Sequence, residues 1–195
     1  MTVKSALKTS VLAGLLGLAL QAQAATIIMN FDGVTSNAAV NEFYNGGTDG
    51  AGASGVNYGV SYHDFIATDG AFGQTSLPNL AYNGAELAVA NVAAGFTSLS
   101  FTSGAFTTAY MDVYSGLGGS GTLLGSVQLG TDPFSFSATS VTFSGVAQSF
   151  VLRGNASQAG IDDVQITTVP EPETYGMMLA GLALVGVVAR RKQRA

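Results

Sequence analysis

Two stretches of this chain are unbroken in their apolar character, and the region between them alternates. The first runs from Val11 to Leu20, follows Lys4 and Lys8, and leads into Ala22-Gln23-Ala24. Positive charge, a short apolar core and small residues at −3 and −1 stand in the order of a secretion signal, which predicts residues 1–24 as a signal peptide cut before Ala25. The run is too short to span a bilayer alone. The second stretch, Tyr175 to Ala189, carries no charge and is closed by Arg190-Arg191-Lys192-Gln193-Arg194-Ala195. As a helix it would rise roughly 22 Å at about 1.5 Å per residue, short of a hydrocarbon core of about 30 Å. Snorkelling of Arg190 and Arg191 and local thinning would accommodate the difference. The tail Arg190, Arg191, Lys192 and Arg194 predicts a cytoplasmic C-terminus, with the rest of the chain outside the inner membrane.

Between these ends the pattern has period two. Segments of Phe, Val, Thr, Tyr and Ser are separated by Gly, Asn and Asp clusters, which reads as strands and turns. Strands are predicted at Thr26–Phe31, Val60–Ile66, Ser98–Ser103, Thr107–Tyr114, Thr122–Leu129, Ser140–Phe143, Gln148–Leu152 and Ile161–Thr168. Gly50–Gly59 reads as a loop, and Gly116–Gly121 as the turn of a hairpin. Along Thr107–Tyr114, Ala109, Met111 and Val113 take one face, while Tyr110, Asp112 and Tyr114 take the other. Glu86–Ala94 leaves a short helix open, against which its β-branched residues and Asn91 argue. Short strands with turn signals at close spacing predict an all-β, jelly-roll-like β-sandwich over residues 25–168, a length that allows one sizeable core.

Charge sharpens the picture. Within residues 25–169 the only base is Arg153. The acids are Asp32, Glu42, Asp49, Asp64, Asp69, Glu86, Asp112, Asp132, Asp162 and Asp163, a net of −9. Such a surface repels phosphate backbones and excludes a nucleic-acid partner. There is no cysteine, so thiol nucleophiles, thiolate metal sites and disulfides are excluded. His63 is the only histidine, too few for a His-rich metal centre. No Gly-x-Ser-x-Gly elbow accompanies it, and surface exposure accounts for acid pairs such as Asp64 and Asp69. The expectation is therefore no enzyme. Tyr110, Asp112 and Tyr114 form a candidate sugar-binding strip, to which Tyr58 and Tyr62 could add. The alternative is that these tyrosines face the second layer or cover an edge.

Pro170-Glu171-Pro172, the short apolar helix at 175–189 and the basic tail at 190–195 resemble a PEP-CTERM sorting signal, which assigns residues 169–195 to it. The resemblance implies a substrate of exosortase, a membrane-embedded, cysteine transpeptidase-like enzyme of Gram-negative bacteria that make exopolysaccharide and biofilm. It implies a transient anchor in the inner membrane, cutting at or near Pro170–Pro172, and delivery to the cell surface or extracellular matrix. Asn30-Phe31-Asp32-Gly33-Val34 and Gly160-Ile161-Asp162-Asp163-Val164, with Met111–Gly116 and Phe143–Ala147, are similar to stretches of galactose-binding-like jelly rolls, whose first and last strands lie close together. That second resemblance implies a structural Ca²⁺ held by Asp162 or Asp163 with Asp32. The role expected is non-enzymatic, in a surface or exopolysaccharide matrix. A carbohydrate-binding module for extracellular polysaccharide is the alternative, and a secreted hydrolase the third reading.

Overall fold

A computed structural model describes residues 24–70 and 72–169, and in the C-terminal segment residues 181, 182 and 190. The apolar helix expected at 175–189 lies largely outside these residues. So do Ala22, the motif Pro170, Glu171 and Pro172, and Arg191, Lys192 and Arg194. Among the described residues no helix is long and apolar enough to cross a membrane. Residues 24–169 form one compact unit.

That unit is an all-β sandwich of ten strands: β1 (Thr26–Met29), β2 (Val60–His63), β3 (Phe65–Thr68), β4 (Leu80–Asn83), β5 (Leu87–Ala105), β6 (Tyr110–Tyr114), β7 (Leu123–Gln128), β8 (Ser137–Val141), β9 (Ala147–Arg153) and β10 (Ala159–Thr168). All neighbours pair antiparallel. The two layers share β5. Its first half lies between β2 and β9, and β9 continues to β6 and β7. Its second half lies between β8 and β10. The far side of β10 takes β4 and β3 at its start and β1 at its end.

The switch of layers is written in the sequence of β5. Ala88, Ala90 and Val92 are buried before it, Leu99, Phe101 and Ala105 after it, so the inward positions change from even to odd numbers. Gly95 sits at the change with φ +83°, a backbone region that costs an L side chain about 1–2 kcal/mol. Its missing Cβ would fall 2.5 Å from Val146 Cγ1. The pairing with β9 slips at this point, between Asn91 and Phe96. Glu86–Ala94 is thus strand and not helix, because its apolar residues recur every second position.

The same parity change corrects Val60–Ile66, expected as one strand. Val60 and Tyr62 are buried, then Phe65 and Ala67. The chain turns between them at Asp64, whose φ is +59°, and enters the other layer. β4 was not anticipated at all. The strand expected at Ser140–Phe143 begins earlier, at Ser137.

Between the layers lies an aromatic core. Tyr62 meets Phe31, Phe65 and Phe150 edge-on at centroid distances of 5.7, 5.2 and 6.1 Å. Such pairs add about 0.5–1.5 kcal/mol each beyond their burial. Tyr62 is fully buried, its hydroxyl donating to Met29 Sδ at 3.3 Å, so it is a core residue and no part of a sugar patch. Burial pushes its pKa well up. The expected closeness of first and last strands holds: Thr26 to Met29 pair with Thr167 to Val164.

Candidate functional site

β6 lies between β7 and β9, and its outward residues meet theirs in register. Tyr110 and Tyr114 are half-buried there and flank Asp112, so the expected strip is brought together. Its chemistry is set by partners that the sequence reading left out. Asp112 is 2% exposed. One oxygen accepts from Arg153 Nε at 2.7 Å, the other from Ser126 Oγ at 2.5 Å. The Arg153 guanidinium lies 4.5 Å above the Tyr110 ring, a cation–π contact. The hydrogen bond from Arg153 to Asp112 is the main influence holding the arginine's pKa above its ordinary value. The carboxylate is neutralised and one face of Tyr110 is covered, which leaves a rigid but largely self-satisfied cluster. Next to it, Ser149 accepts from Gly119 N–H and donates to Gly116 carbonyl, folding the 3-10 turn Leu117–Gly119 over the same sheet. Tyr58 lies elsewhere, stacked on Tyr44 at 6.0 Å.

The acids expected to hold Ca²⁺ do different work. Asp162 is fully buried on β10. Its oxygens accept from Thr75 N–H at 2.9 Å, Ser76 N–H at 2.8 Å, Ser76 Oγ at 2.9 Å and Asp163 N–H at 2.7 Å. Asp163 accepts from Thr75 Oγ1 at 2.7 Å, and Asp32 from Asn79 N–H at 3.0 Å. All three carboxylates tie down the chain between β3 and β4. A calcium shell gathers oxygen lone pairs, whereas Asp162 is surrounded by N–H and O–H donors. No three His, Cys, Asp or Glu side chains converge among the described residues. These groups do not fit a calcium site.

The loop they hold forms one wall of a cleft on the outer face of the second layer. The cleft has a volume of about 240 Å³. Beneath it Gly104 on β5 lies opposite Gly160 on β10. A Cβ at Gly104 would come within 2.8 Å of the Phe136 ring, and one at Gly160 within 3.0 Å. The paired glycines let Phe136 lie against bare backbone. Leu80 and Tyr82 from β4, with Thr68 from β3, line one side. Above the opening stand Phe72, Phe106 and Phe134. Phe72 and Phe134 are stacked at 6.2 Å, and Phe106 meets both edge-on at 6.0 Å. Their exposures are 37%, 48% and 65%. Three large rings left in water around a cleft form an exposed apolar patch of the kind that carries binding sites.

The loops are built to hold that shape. Gly73 N–H donates to Pro133 carbonyl, and Phe136 N–H to Gly73 carbonyl, which joins the β3–β4 loop to the β7–β8 loop. Asp132 accepts from Phe134 N–H at 3.0 Å. None of the cleft's lining residues is Asp, Glu or His. His63 is exposed at the end of β2, in a separate shallow recess with Glu42. Sequence reading missed the cleft. Its one legible signal is that Phe72 and Phe134 fall in turn-rich stretches, Gly70–Gly73 and Gly130–Phe136, where strand alternation cannot bury them.

Residues 168–192 match the PEP-CTERM protein-sorting motif, so the chain is an exported protein that carries this sorting signal. The β-sandwich has similarity to CsCBM6-3 from Clostridium stercorarium in complex with cellobiose, at 15% identity and a TM-score of 0.37, over 56% of this chain and 87% of that one. It is also similar to a glycoside hydrolase family 43 arabinoxylan arabinofuranohydrolase from Bacillus subtilis (13%, 0.43, 63% and 31%). A family 11 carbohydrate-binding module from Clostridium thermocellum is a third (11%, 0.31, 58% and 86%). No curated protein matches the sequence.

Proposed function

We propose that this chain is exported, briefly anchored in the inner membrane by its C-terminal segment, and cut near Pro170–Pro172 by an exosortase-like enzyme. The released domain then acts at the cell surface or in the extracellular matrix, by binding polysaccharide and not by catalysis. The observation that carries the binding half is the cleft beneath Phe72, Phe106 and Phe134. Exposed rings offer flat apolar faces to the C–H face of a pyranose, and Thr68, Tyr82, Ser157 and Gln158 supply hydroxyl and amide groups beside them. The absence of any carboxylate or histidine in its lining supports binding without hydrolysis, which needs a pair of acids across the bond.

The processing half rests on the sorting motif. Replacing Pro170 and Pro172 by alanine is expected to leave the chain at its full, membrane-bound size. Unchanged size and location of the final product would overturn it. The binding half is tested by probing the full-length chain against immobilised bacterial polysaccharides: retention on at least one, without release of reducing ends, is expected. Release of product would make it a hydrolase instead.

A further inference from the structure

The chemistry of the cleft narrows its ligand, on the reading that it binds polysaccharide. We propose that the cleft takes one neutral sugar residue bearing an apolar substituent, the methyl of a 6-deoxyhexose or of an acetamido group. A cleft of about 240 Å³ lies below the roughly 300–1,000 Å³ of sites that enclose drug-sized molecules. It suits a single residue of a longer chain.

Its surfaces are unequal. Phe72, Phe106 and Phe136, the last seated on the paired glycines, form the larger share. The polar groups are few and uncharged: the hydroxyls of Thr68, Tyr82 and Ser157, and the Gln158 amide. A hexose with every carbon hydroxylated would press hydroxyls against Phe106 and Phe136, where nothing replaces the lost water. A methyl group removes that penalty and gains from burial.

Charge argues the same way. Residues 25–169 carry ten acids and one base. That base, Arg153, is bound to Asp112 on the outer face of the other layer. Asp132 stands in the loop that roofs the cleft, its backbone carbonyl 2.5 Å from where a Gly104 Cβ would be. A uronic acid entering here would meet repulsion and find no cation.

The test uses the full-length chain in a detergent without a sugar headgroup. Competition for the retained polysaccharide is measured with L-fucose, N-acetylglucosamine, glucose and glucuronate. Fucose or N-acetylglucosamine should compete roughly tenfold better than glucose, the discrimination one apolar group commands in a pocket, and glucuronate should not compete. Which of the two wins identifies the source of the methyl. Phe106→Ala and Phe134→Ala, both at exposed positions, should each weaken retention by about tenfold while the fold is kept. Equal competition by glucose, competition by glucuronate, or indifference to both substitutions would overturn the inference and leave the broader reading standing. Retention on no polysaccharide would end both.

Discussion

Asp162 is expected to be the residue on which the cleft depends most, although it does not line it. Its two oxygens take three backbone N–H groups and one hydroxyl, all at 2.7–2.9 Å. Asp162→Ala leaves the N–H groups of Thr75, Ser76 and Asp163 without acceptors. At about 1–3 kcal/mol for each buried donor orphaned, with water re-entering at the half-buried Ser76, the expected loss is about 3–5 kcal/mol. Asp162→Asn is the sharper probe. An amide keeps the shape and one acceptor but points an NH₂ group at a backbone N–H, since donors approach both oxygens. It should cost about 2 kcal/mol, where a purely steric role would cost nothing. Urea unfolding followed by tyrosine fluorescence reads both values, and an Asn variant as stable as the parent would refute the reasoning.

Gly95→Ala adds a side chain at φ +83° against Val146, and should lower stability by about 1–2 kcal/mol in the same assay; a neutral result would place the layer switch elsewhere. Arg153→Ala strips the partner from an almost buried Asp112, but the arginine side chain is 46% exposed and water can enter. The expected cost is about 1 kcal/mol, with polysaccharide retention unchanged, and lost retention would move the sugar site to β6. Asp49 gives the fold a dependence on pH. Burial raises its pKa, yet hydrogen bonds from Thr35, Ala53 and Ala51 outweigh this and hold it below its ordinary value. Its contribution is present above about pH 4 and lost as pH falls through the folded pKa. Asp49→Ala should therefore destabilise more at pH 6 than at pH 3, measured by thermal unfolding.

Much of the strand order was legible because period-two alternation is a direct imprint of a half-buried sheet. The misreadings fall where that alternation changes parity, at Asp64 and Gly95. There the chain moves between layers, and a single window of sequence mixes two phases. β4 escaped because Leu80 and Ala81 are both buried, which hides the alternation. The sorting motif was readable because its parts are contiguous. The cleft was not, because it joins residues 68, 82, 104, 136 and 158 from five separate segments, and Phe136 is seated on two glycines with no side chain to announce them. The shared face of Tyr110, Asp112 and Tyr114 was legible from alternation, but Arg153, which pairs with Asp112, lies 41 positions away, and nothing local links the two.

The last strand leaves no slack. Thr168 donates its N–H and its hydroxyl to the Ala25 carbonyl, and Val169 donates its N–H to the Gly95 carbonyl. The sorting motif, which begins at residue 168, thus shares its first two residues with the sandwich. On the proposed reading, a cut at Pro170–Pro172 would fall directly after Val169, the last residue hydrogen-bonded to the sandwich, and the product would keep almost no unpaired tail. Inserting residues between Val169 and Pro170 would then test whether closeness to the domain limits cutting, with the hydrogen bonds of Thr168 and Val169 left in place.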